Sequence, residues 1–273
     1  MSIFKALLLG IVQGLTEFLP VSSSAHLIIF PQIFGWESQP LVFDTTLHLA
    51  TALALIICFW KDITTIFRSL FKDVSQHEGS VKHYSSDSML GLKVALGSIP
   101  IGVIGLLFED VLENLFRGVF SVATFLILGS FLMWVAEKKL KKKLIVKDEI
   151  SLGKSIKIGF FQVLALLPGF SRSGSTISGG MIYGLSRKEA TRFSFLLSIP
   201  AVFMAGVLKL VSSYEYINAA DVPFMFIGFI SSFVVGMFAI KFMLKFVKNN
   251  KLYSFIFYRI GLALFLIILS VIK

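Results

Sequence analysis

The sequence predicts an all-α polytopic membrane protein with six transmembrane helices and two re-entrant helix pairs in an inverted-topology repeat. Hydrophobic residues make up 56% of the 273 residues, charged residues only 15%, and the mean hydropathy is +0.84. Soluble domains carry about a quarter charged residues, so lipid must be the solvent for most of this chain. Six apolar runs are long enough to cross a bilayer, and two more are broken by polar residues.

The first broken segment lies at residues 3–30, where Pro20 and a serine cluster interrupt the apolar pattern. At membrane depth such backbone is stable only inside protein or beside a water-filled cavity, so we expect a helix–loop–helix.

A carboxylate is a poor member of a signal-peptide core. Because Glu17 lies in this stretch, we expect residues 1–30 to be retained. Three predicted spans follow, near 41–60, 88–108 and 116–136.

A basic linker at 137–157 separates the predicted repeat halves, 1–136 and 158–273. It holds eight lysines, which predicts a cytoplasmic position. The second half opens with another segment broken by proline, glycine and serine, at 158–185. We expect a second helix–loop–helix there, for the same reason as in the first half. The predicted spans of the second half lie near 193–211, 223–244 and 252–272.

The basic residues assign sides to the membrane. The net charge is +10, but the lysines cluster between apolar runs instead of forming one continuous face, so we expect no nucleic-acid partner. Segments 61–87 and 137–157 are basic and are predicted to be cytoplasmic. Segments 31–40, 109–113 and 212–222 contain no Lys or Arg and should face outward. The two halves then share one layout with opposite orientation.

A weak internal repeat agrees with this topology. Gly10-Ile-Val-Gln13 recurs as Gly159-Phe-Phe-Gln162, and the serine pair at 22 and 24 recurs at 171 and 173. Proteins built from inverted repeats tend to place their site near the midplane, where the broken helices meet. The sequence therefore predicts a site formed by the two broken segments.

The first broken segment carries a polar constellation. Gln13 and Glu17 are four residues apart and share a helix face. An ionisable group at this depth is costly and is functional by default, although Glu17 could also lie near the interface and be solvated. Ser22, Ser23 and His26 follow closely, which favours a functional role.

The second broken segment carries an arginine within a serine- and glycine-rich run. Hydroxyls and backbone N–H groups at a helix start form an anion site, and Arg172 adds a fork suited to phosphate oxygens. Small residues also permit close helix packing, but packing does not account for the arginine. Both segments together predict a phosphoryl-transfer site without identifying its substrate. The polar candidates here are Ser171, Arg172, Ser173, Gly174 and Thr176.

Two further polar residues leave alternatives open. Asp44 and His48 share a helix face near the outer end of the first span, where they either join the site or lie at the wet interface. Lys209 lies near a span end and is expected to extend its ammonium group to the interface.

Two strings resemble the signatures of the bacitracin-resistance undecaprenyl-pyrophosphate phosphatase family. They are QGLTEFLPVSSSAH at 13–26 and PGFSRSGSTISGG at 168–180, and the resemblance covers essentially the whole chain. The family's first motif allows Glu or Gln before the paired Glu. This chain has Gln13 there, so Glu17 is the only carboxylate of that pair.

The resemblance implies a multi-pass enzyme of the bacterial plasma membrane. It would hydrolyse undecaprenyl pyrophosphate to undecaprenyl phosphate and inorganic phosphate, recycling the lipid carrier for cell-wall synthesis. It also implies a divalent cation, Mg²⁺ or Ca²⁺, held near Glu17. The expected partners are the pyrophosphate lipid and membrane lipid, and a homodimer is left open.

The roles of the site residues are a hypothesis built on their chemistry. Arg172, with Ser171, Ser173 and Thr176, holds the pyrophosphate. Ser23 is the nucleophile and His26 its general base or acid. The rival mechanism is water activated by Glu17 or His26, with Ser23 only binding. The remaining substrate-binding candidates are Gln13, Ser22 and Gly174.

We expect the site to open to the outer face and the lipid tail to enter between spans. Broken helices at the midplane of an inverted repeat are also typical of transporters. A transporter or flippase for polyprenyl phosphate lipids is therefore the alternative function. Release of phosphate separates the two, since a transporter binds the lipid without cleaving it.

Overall fold

The computed structural model describes residues 1–76, 80–116, 118–141, 150–213 and 218–272. Part of the predicted basic linker, 142–149, lies outside these ranges. Within them the chain is helical and contains no strand, which confirms the all-α class. Its α-helices are α1 (Ile3–Phe18), α2 (Ser23–Phe34), α3 (Leu41–Cys58), α4 (Trp60–Gln76), α5 (Ser86–Phe116), α6 (Val119–Lys141), α7 (Leu152–Val163), α8 (Arg172–Tyr183), α9 (Arg187–Ser213), α10 (Val222–Asn249) and α11 (Tyr253–Ile272).

Six of the described helices are long and apolar enough to cross a membrane, as predicted. They are α3, α5, α6, α9, α10 and α11. Large apolar side chains cover their outer surfaces, including Phe131, Phe238 and Phe257, each at least 60% exposed. Such a surface is stable only against lipid, because in water it would form apolar patches that soluble proteins avoid. The chain is therefore a multi-pass membrane protein.

Two shorter helix pairs occupy the broken segments. α1 and α2 meet at a turn ending in Ser22, and α7 and α8 meet at a turn ending in Ser171. Among the described residues these two serines are the only non-glycine residues with positive φ, at 76° and 73°. A positive φ costs a residue with a Cβ about 1–3 kcal/mol, and such strain persists mainly at functional sites.

The two pairs pack on spans of the opposite half. α1 lies along α10 and α7 lies along α5. Glycines permit the close approach: a Cβ on Gly14 would lie 2.6 Å from the Ser232 carbonyl, and one on Gly159 would overlap the Gly97 carbonyl. This exchange of partners supports a two-fold relation between the halves. The inverted-topology repeat, its boundaries and the re-entrant course of both pairs stay predictions.

Some helices differ from the predicted segments. α6 continues to Lys141, beyond the predicted end of its span at 136, since lysines near a helix C-terminus interact favourably with its dipole. Segment 61–87, predicted only as a polar cytoplasmic stretch, contains the amphipathic helix α4, which packs on α5.

Candidate active site

A cavity of about 340 Å³ lies among α1, α2, α3, α5, α8 and α9. Its polar end is formed by the end of α1 and by the first residues of α2 and α8, including Glu17, Ser23 and Arg172. Its other walls are mainly apolar and come mostly from α5 and α9, with Ile101, Leu106 and Met204 among the lining residues. The cavity therefore joins a charged end to a long apolar slot.

Glu17 is the centre of the polar end. Its Oε1 accepts a hydrogen bond from Arg172 Nη2 at 2.9 Å. Its Oε2 accepts from Ser23 Oγ at 2.6 Å and from Gln13 Nε2 at 3.0 Å. The carboxylate is 92% buried, so its charge depends on these donors instead of water. The two broken segments, separated by 155 positions in the chain, meet at this ion pair.

Ser23 and His26 do not form the predicted pair. The Ser23 hydroxyl donates to Glu17. Both ring nitrogens of His26 are hydrogen-bonded to groups other than Ser23 Oγ. His26 Nδ1 is 2.7 Å from the Ser22 carbonyl oxygen, and Nε2 is 2.7 Å from the Tyr258 hydroxyl on α11. The group placed to accept the Ser23 proton is therefore Glu17.

Arg172 lines the cavity and carries a buried, unsatisfied donor. Its side chain is 91% buried, and Nη1 has no hydrogen-bond partner within the described part of the chain. A buried guanidinium nitrogen without an acceptor is costly, so the arrangement favours an anion in the cavity. The N-termini of α2 and α8 also lie at this end, where their backbone dipoles favour negative charge.

The two strained turns are hydrogen-bonded to each other. The Gly169 amide donates to Ser24 Oγ at 3.2 Å, and Ser173 Oγ donates to the Leu19 carbonyl at 3.2 Å. Each cap serine also accepts from an amide of its own helix, since Ser22 Oγ bonds Ala25 N and Ser171 Oγ bonds Gly174 N. These bonds fix the spacing between Ser23 and Arg172.

The predicted site residues fall into two groups. Glu17, Ser22, Ser23, Ser171 and Arg172 line the cavity. The other predicted residues are buried and do not line the cavity: Gln13, His26, Ser173, Gly174 and Thr176. Thr176, for example, bonds Ser194 Oγ at 2.6 Å and so joins α8 to α9.

The open alternatives at Asp44 and His48 are resolved, because both line the cavity. His48 Nδ1 lies 3.0 Å from Gln13 Nε2 and 3.6 Å from Glu17 Oε2. Asp44 accepts from Gln39 Nε2 at 2.9 Å. Lys209, expected at the interface, also lines the cavity.

Sequence reasoning missed Arg259. This side chain is fully buried in the first half of α11, and its guanidinium donates to backbone carbonyls of both strained turns. Nη1 reaches the Pro20 carbonyl at 3.2 Å, and Nη2 reaches those of Gly169 and Phe170 at 3.1 and 3.0 Å. A single arginine within an otherwise apolar span was the available signal, since charges at that depth are rare and functional.

The donor set suits a cation that arrives with a phosphate ligand. Among the described residues no group of three or more His, Cys, Asp and Glu side chains could hold a metal by itself. Glu17 and Asp44 nevertheless line one cavity. Mg²⁺ is commonly bound by one or two carboxylates together with substrate phosphates and water, and these residues fit that pattern.

Comparison with known proteins gives consistent matches along the chain. The model of the family described as bacitracin resistance protein BacA matches residues 6–265. An undecaprenyl-diphosphatase of Thermodesulfovibrio yellowstonii is 42% identical over 269 residues, covering 98% of this chain and 97% of the relative. One from Chloroherpeton thalassium is 40% identical over 275 residues, covering 98% and 96%. One from Myxococcus xanthus is 37% identical, covering 98% and 89%.

Proposed function

Because the chain belongs to the bacitracin resistance protein BacA family, we propose that the cavity between the two strained turns is its active site. The enzyme is an undecaprenyl-diphosphatase, which hydrolyses undecaprenyl pyrophosphate to undecaprenyl phosphate and inorganic phosphate. The alternative of a transporter is set aside, since the curated relatives are named as the hydrolase. The observation that carries the site is the unpartnered Arg172 Nη1 beside the Glu17–Ser23 hydrogen bond.

Substrate binding follows from the charges at the polar end. Arg172 Nη1 donates to an oxygen of the terminal phosphate, while Nη2 keeps Glu17 in place. The amides at the starts of α2 and α8 add partial positive charge. Ser22 and Ser171 lie at the same end and contribute to the phosphate pocket.

In the first step, Ser23 Oγ attacks the terminal phosphorus. The hydroxyl already donates to Glu17 at 2.6 Å, so its proton passes to that carboxylate as the O–P bond forms. The bond from phosphorus to the bridging oxygen breaks, and Glu17 passes the proton to that oxygen as undecaprenyl phosphate leaves. Arg172 stabilises the charge that develops on the transferred phosphoryl group.

In the second step, water attacks the phosphoserine. Glu17, again unprotonated, accepts one proton of the water, and the Ser23–phosphorus bond breaks. The proton returns to Ser23 Oγ, and inorganic phosphate leaves. The rival mechanism, direct attack by water activated at Glu17, uses the same carboxylate and leaves Ser23 as a binding residue.

A divalent cation, Mg²⁺ or Ca²⁺, is proposed to bind with the pyrophosphate. Glu17 is the proposed protein ligand, with Asp44 as the other carboxylate of the cavity. When bound, the cation neutralises charge on the phosphate oxygens. The chain's own contribution is to orient the two carboxylates toward the position that the phosphates occupy.

We propose that the active site opens toward the outer face and that the lipid tail enters laterally. The cavity lies at the start of α3 and the end of α9, next to the segments without Lys or Arg. Leu106, Met204 and Leu208 line it and are also 70%, 56% and 49% exposed on the lipid-facing surface. The slot between α5 and α9 is therefore continuous with the acyl region.

The test is phosphate release from undecaprenyl pyrophosphate by purified protein in detergent with Mg²⁺. We expect Glu17→Gln to lower kcat/KM by about 10²-fold or more, because an amide neither accepts the proton nor pairs with Arg172. Glu37→Gln is the matched control, since Glu37 is exposed outside the cavity, and it should retain wild-type activity. Wild-type turnover in Glu17→Gln would refute the proposed site.

A further inference from the structure

The amphipathic helix α4 lies apart from the active-site cavity and has a surface that the function above does not use. It follows α3 after a single residue, Phe59. Its N-terminal end is tied to α9 by an ion pair between Asp62 and Arg192. Near its other end the buried Asp73 accepts from the backbone amide and the hydroxyl of Ser85, both at 2.7 Å. α4 is therefore held firmly against the bundle.

One sector of α4 faces the protein. At 100° per residue, Ile63, Ile66, Leu70 and Asp73 fall within about 80° of one another. Ile66 and Leu70 contact the position of Gly91 on α5, where an added Cβ would lie 2.6 and 3.0 Å from them. This sector is the packed face of the helix.

The next sector is apolar and exposed. Trp60, Phe67, Phe71 and Val74 fall together on the helix, and they are 59%, 68%, 81% and 52% exposed. Leaving such side chains in water forfeits about 25 cal/mol for each Å² of apolar surface, so this face requires an apolar cover.

The third sector is basic. Lys61, Arg68 and Lys72 fall within about 40° of one another, adjacent to the aromatic sector, and all three are exposed. Asp62 pairs with Arg192, and Asp73 accepts from Ser85. None of the three basic side chains forms an ion pair with a described residue. An exposed aromatic stripe beside an uncompensated basic stripe is typical of helices that lie in the membrane interface.

We propose that α4 binds anionic phospholipid of the cytoplasmic leaflet. Trp60, Phe67, Phe71 and Val74 enter the acyl boundary, and Lys61, Arg68 and Lys72 bind the phosphates of the headgroups. Charge complementarity selects this occupant, because a neutral lipid or an apolar protein surface would leave the three cations unused. The side follows from the position of α4 in a basic segment, which the positive-inside rule assigns to the cytoplasm.

The experiment measures lipid selectivity of the full chain in nanodiscs of phosphatidylcholine with pyrene-labelled phosphatidylglycerol. Trp60 lies within the proposed contact, so Trp36→Phe/Trp134→Phe makes it the only energy-transfer donor. We expect Lys61→Gln/Arg68→Gln/Lys72→Gln to lower the preference for labelled phosphatidylglycerol by roughly fivefold or more, since basic residues near an anionic surface attract its headgroups.

Two controls separate binding from fold and from net charge. Lys245→Gln/Lys248→Gln/Lys251→Gln removes the same charge from exposed positions at the end of α10 and beyond it, and should keep the preference. Lys61→Arg/Lys72→Arg keeps the charge and should keep the preference too. Equal loss in both glutamine variants, or no loss in either, would overturn the proposal. So would disulfide-linked dimers of Phe71→Cys in a Cys58→Ser background, because a second copy would then cover the aromatic sector.

Discussion

Glu17 accepts hydrogen bonds from three side chains on two broken segments, and this convergence explains how a carboxylate is held buried within the protein. Arg172 balances its charge, while Gln13 and Ser23 satisfy its second oxygen. Removing one partner of a buried ion pair leaves the other charge uncompensated. We therefore expect Arg172 to keep its ion pair with Glu17 when substrate binds. Its other terminal nitrogen, Nη1, is left to bind an oxygen of the substrate phosphate.

Ser23 and Ser24 offer a matched pair of substitutions. Both line the cavity, but Ser23 donates to Glu17 whereas Ser24 accepts from the Gly169 amide. We expect Ser23→Ala to lower kcat by about 10³-fold, because the nucleophile is lost, and Ser24→Ala to lower it by less than about tenfold. Phosphate release under single-turnover conditions measures both. If Ser23→Ala turns over near the wild-type rate, activated water replaces the serine nucleophile.

At this scale Glu17 and Arg172 were predicted because they are charges within apolar segments. Ser23 was predicted because it lies close to Glu17 in the same segment. The sequence did not predict their pairing. His26 follows Ser23 by three positions, yet its Nε2 contacts Tyr258, 232 positions away on α11. Contacts between distant helices carry no local periodicity, so this bond had no local signal, whereas the helix face shared by Asp44 and His48 left a place in the site open for His48.

At the scale of elements, the proposed active site depends on two strained turns that one arginine holds together. Arg259 donates to carbonyls at Pro20, Gly169 and Phe170, and it is supported from α6 by Ser130 Oγ at 3.1 Å. Buried carbonyls of a broken helix need donors, because lipid supplies none. The guanidinium satisfies several of them at once and fixes the distance between the turns.

Gly129 on α6 tests this support without changing the arginine. A Cβ there would lie 2.7 Å from the Phe170 carbonyl and would overlap the Arg259 guanidinium. We expect Gly129→Ala to destabilise the protein by about 1–3 kcal/mol and to lower activity. Gly261→Ala is the control, since no atom lies within 4 Å of its Cβ position, and it should be neutral or mildly stabilising. Thermal unfolding in detergent distinguishes the two. Equal melting temperatures would contradict the role assigned to the turns.

The elements themselves were largely predictable because apolar run length and breaking residues define them. The six spans and the two interrupted segments were identified in this way. α4 was missed because its apolar positions alternate with Lys, Arg and Asp, which lowers the mean hydropathy of the segment. The helical spacing at 60, 63, 67, 70 and 74 was the signal that could have identified it.

At the scale of the whole molecule, the proposed cavity opening and α4 lie on opposite sides of the membrane. In a Cys58→Ser background, we expect a membrane-impermeant maleimide to label Ser38→Cys in intact cells and to label Ser75→Cys only after lysis. Both serines are exposed, so access and not burial decides the labelling. The reverse pattern would place the active site on the cytoplasmic side.

The membrane sides assigned to the loops come from lysine and arginine placement and stay a prediction. The closeness of the two turns was not predictable in this way, since it depends on helix packing between halves. The internal repeat predicted that the broken segments meet, and the Glu17–Arg172 ion pair is that meeting. The contact of Arg259 with both turns could be recognised only in the folded structure.

The most direct test of the account is kcat/KM for undecaprenyl pyrophosphate with Arg172 replaced. Arg172→Lys keeps the charge but loses the fork that holds phosphate and Glu17 together, so we expect a loss of about 10²-fold, and a larger loss for Arg172→Ala. Arg192→Lys, at the ion pair with Asp62 away from the cavity, should retain wild-type kcat/KM. Wild-type kcat/KM in Arg172→Ala would contradict the proposed active site.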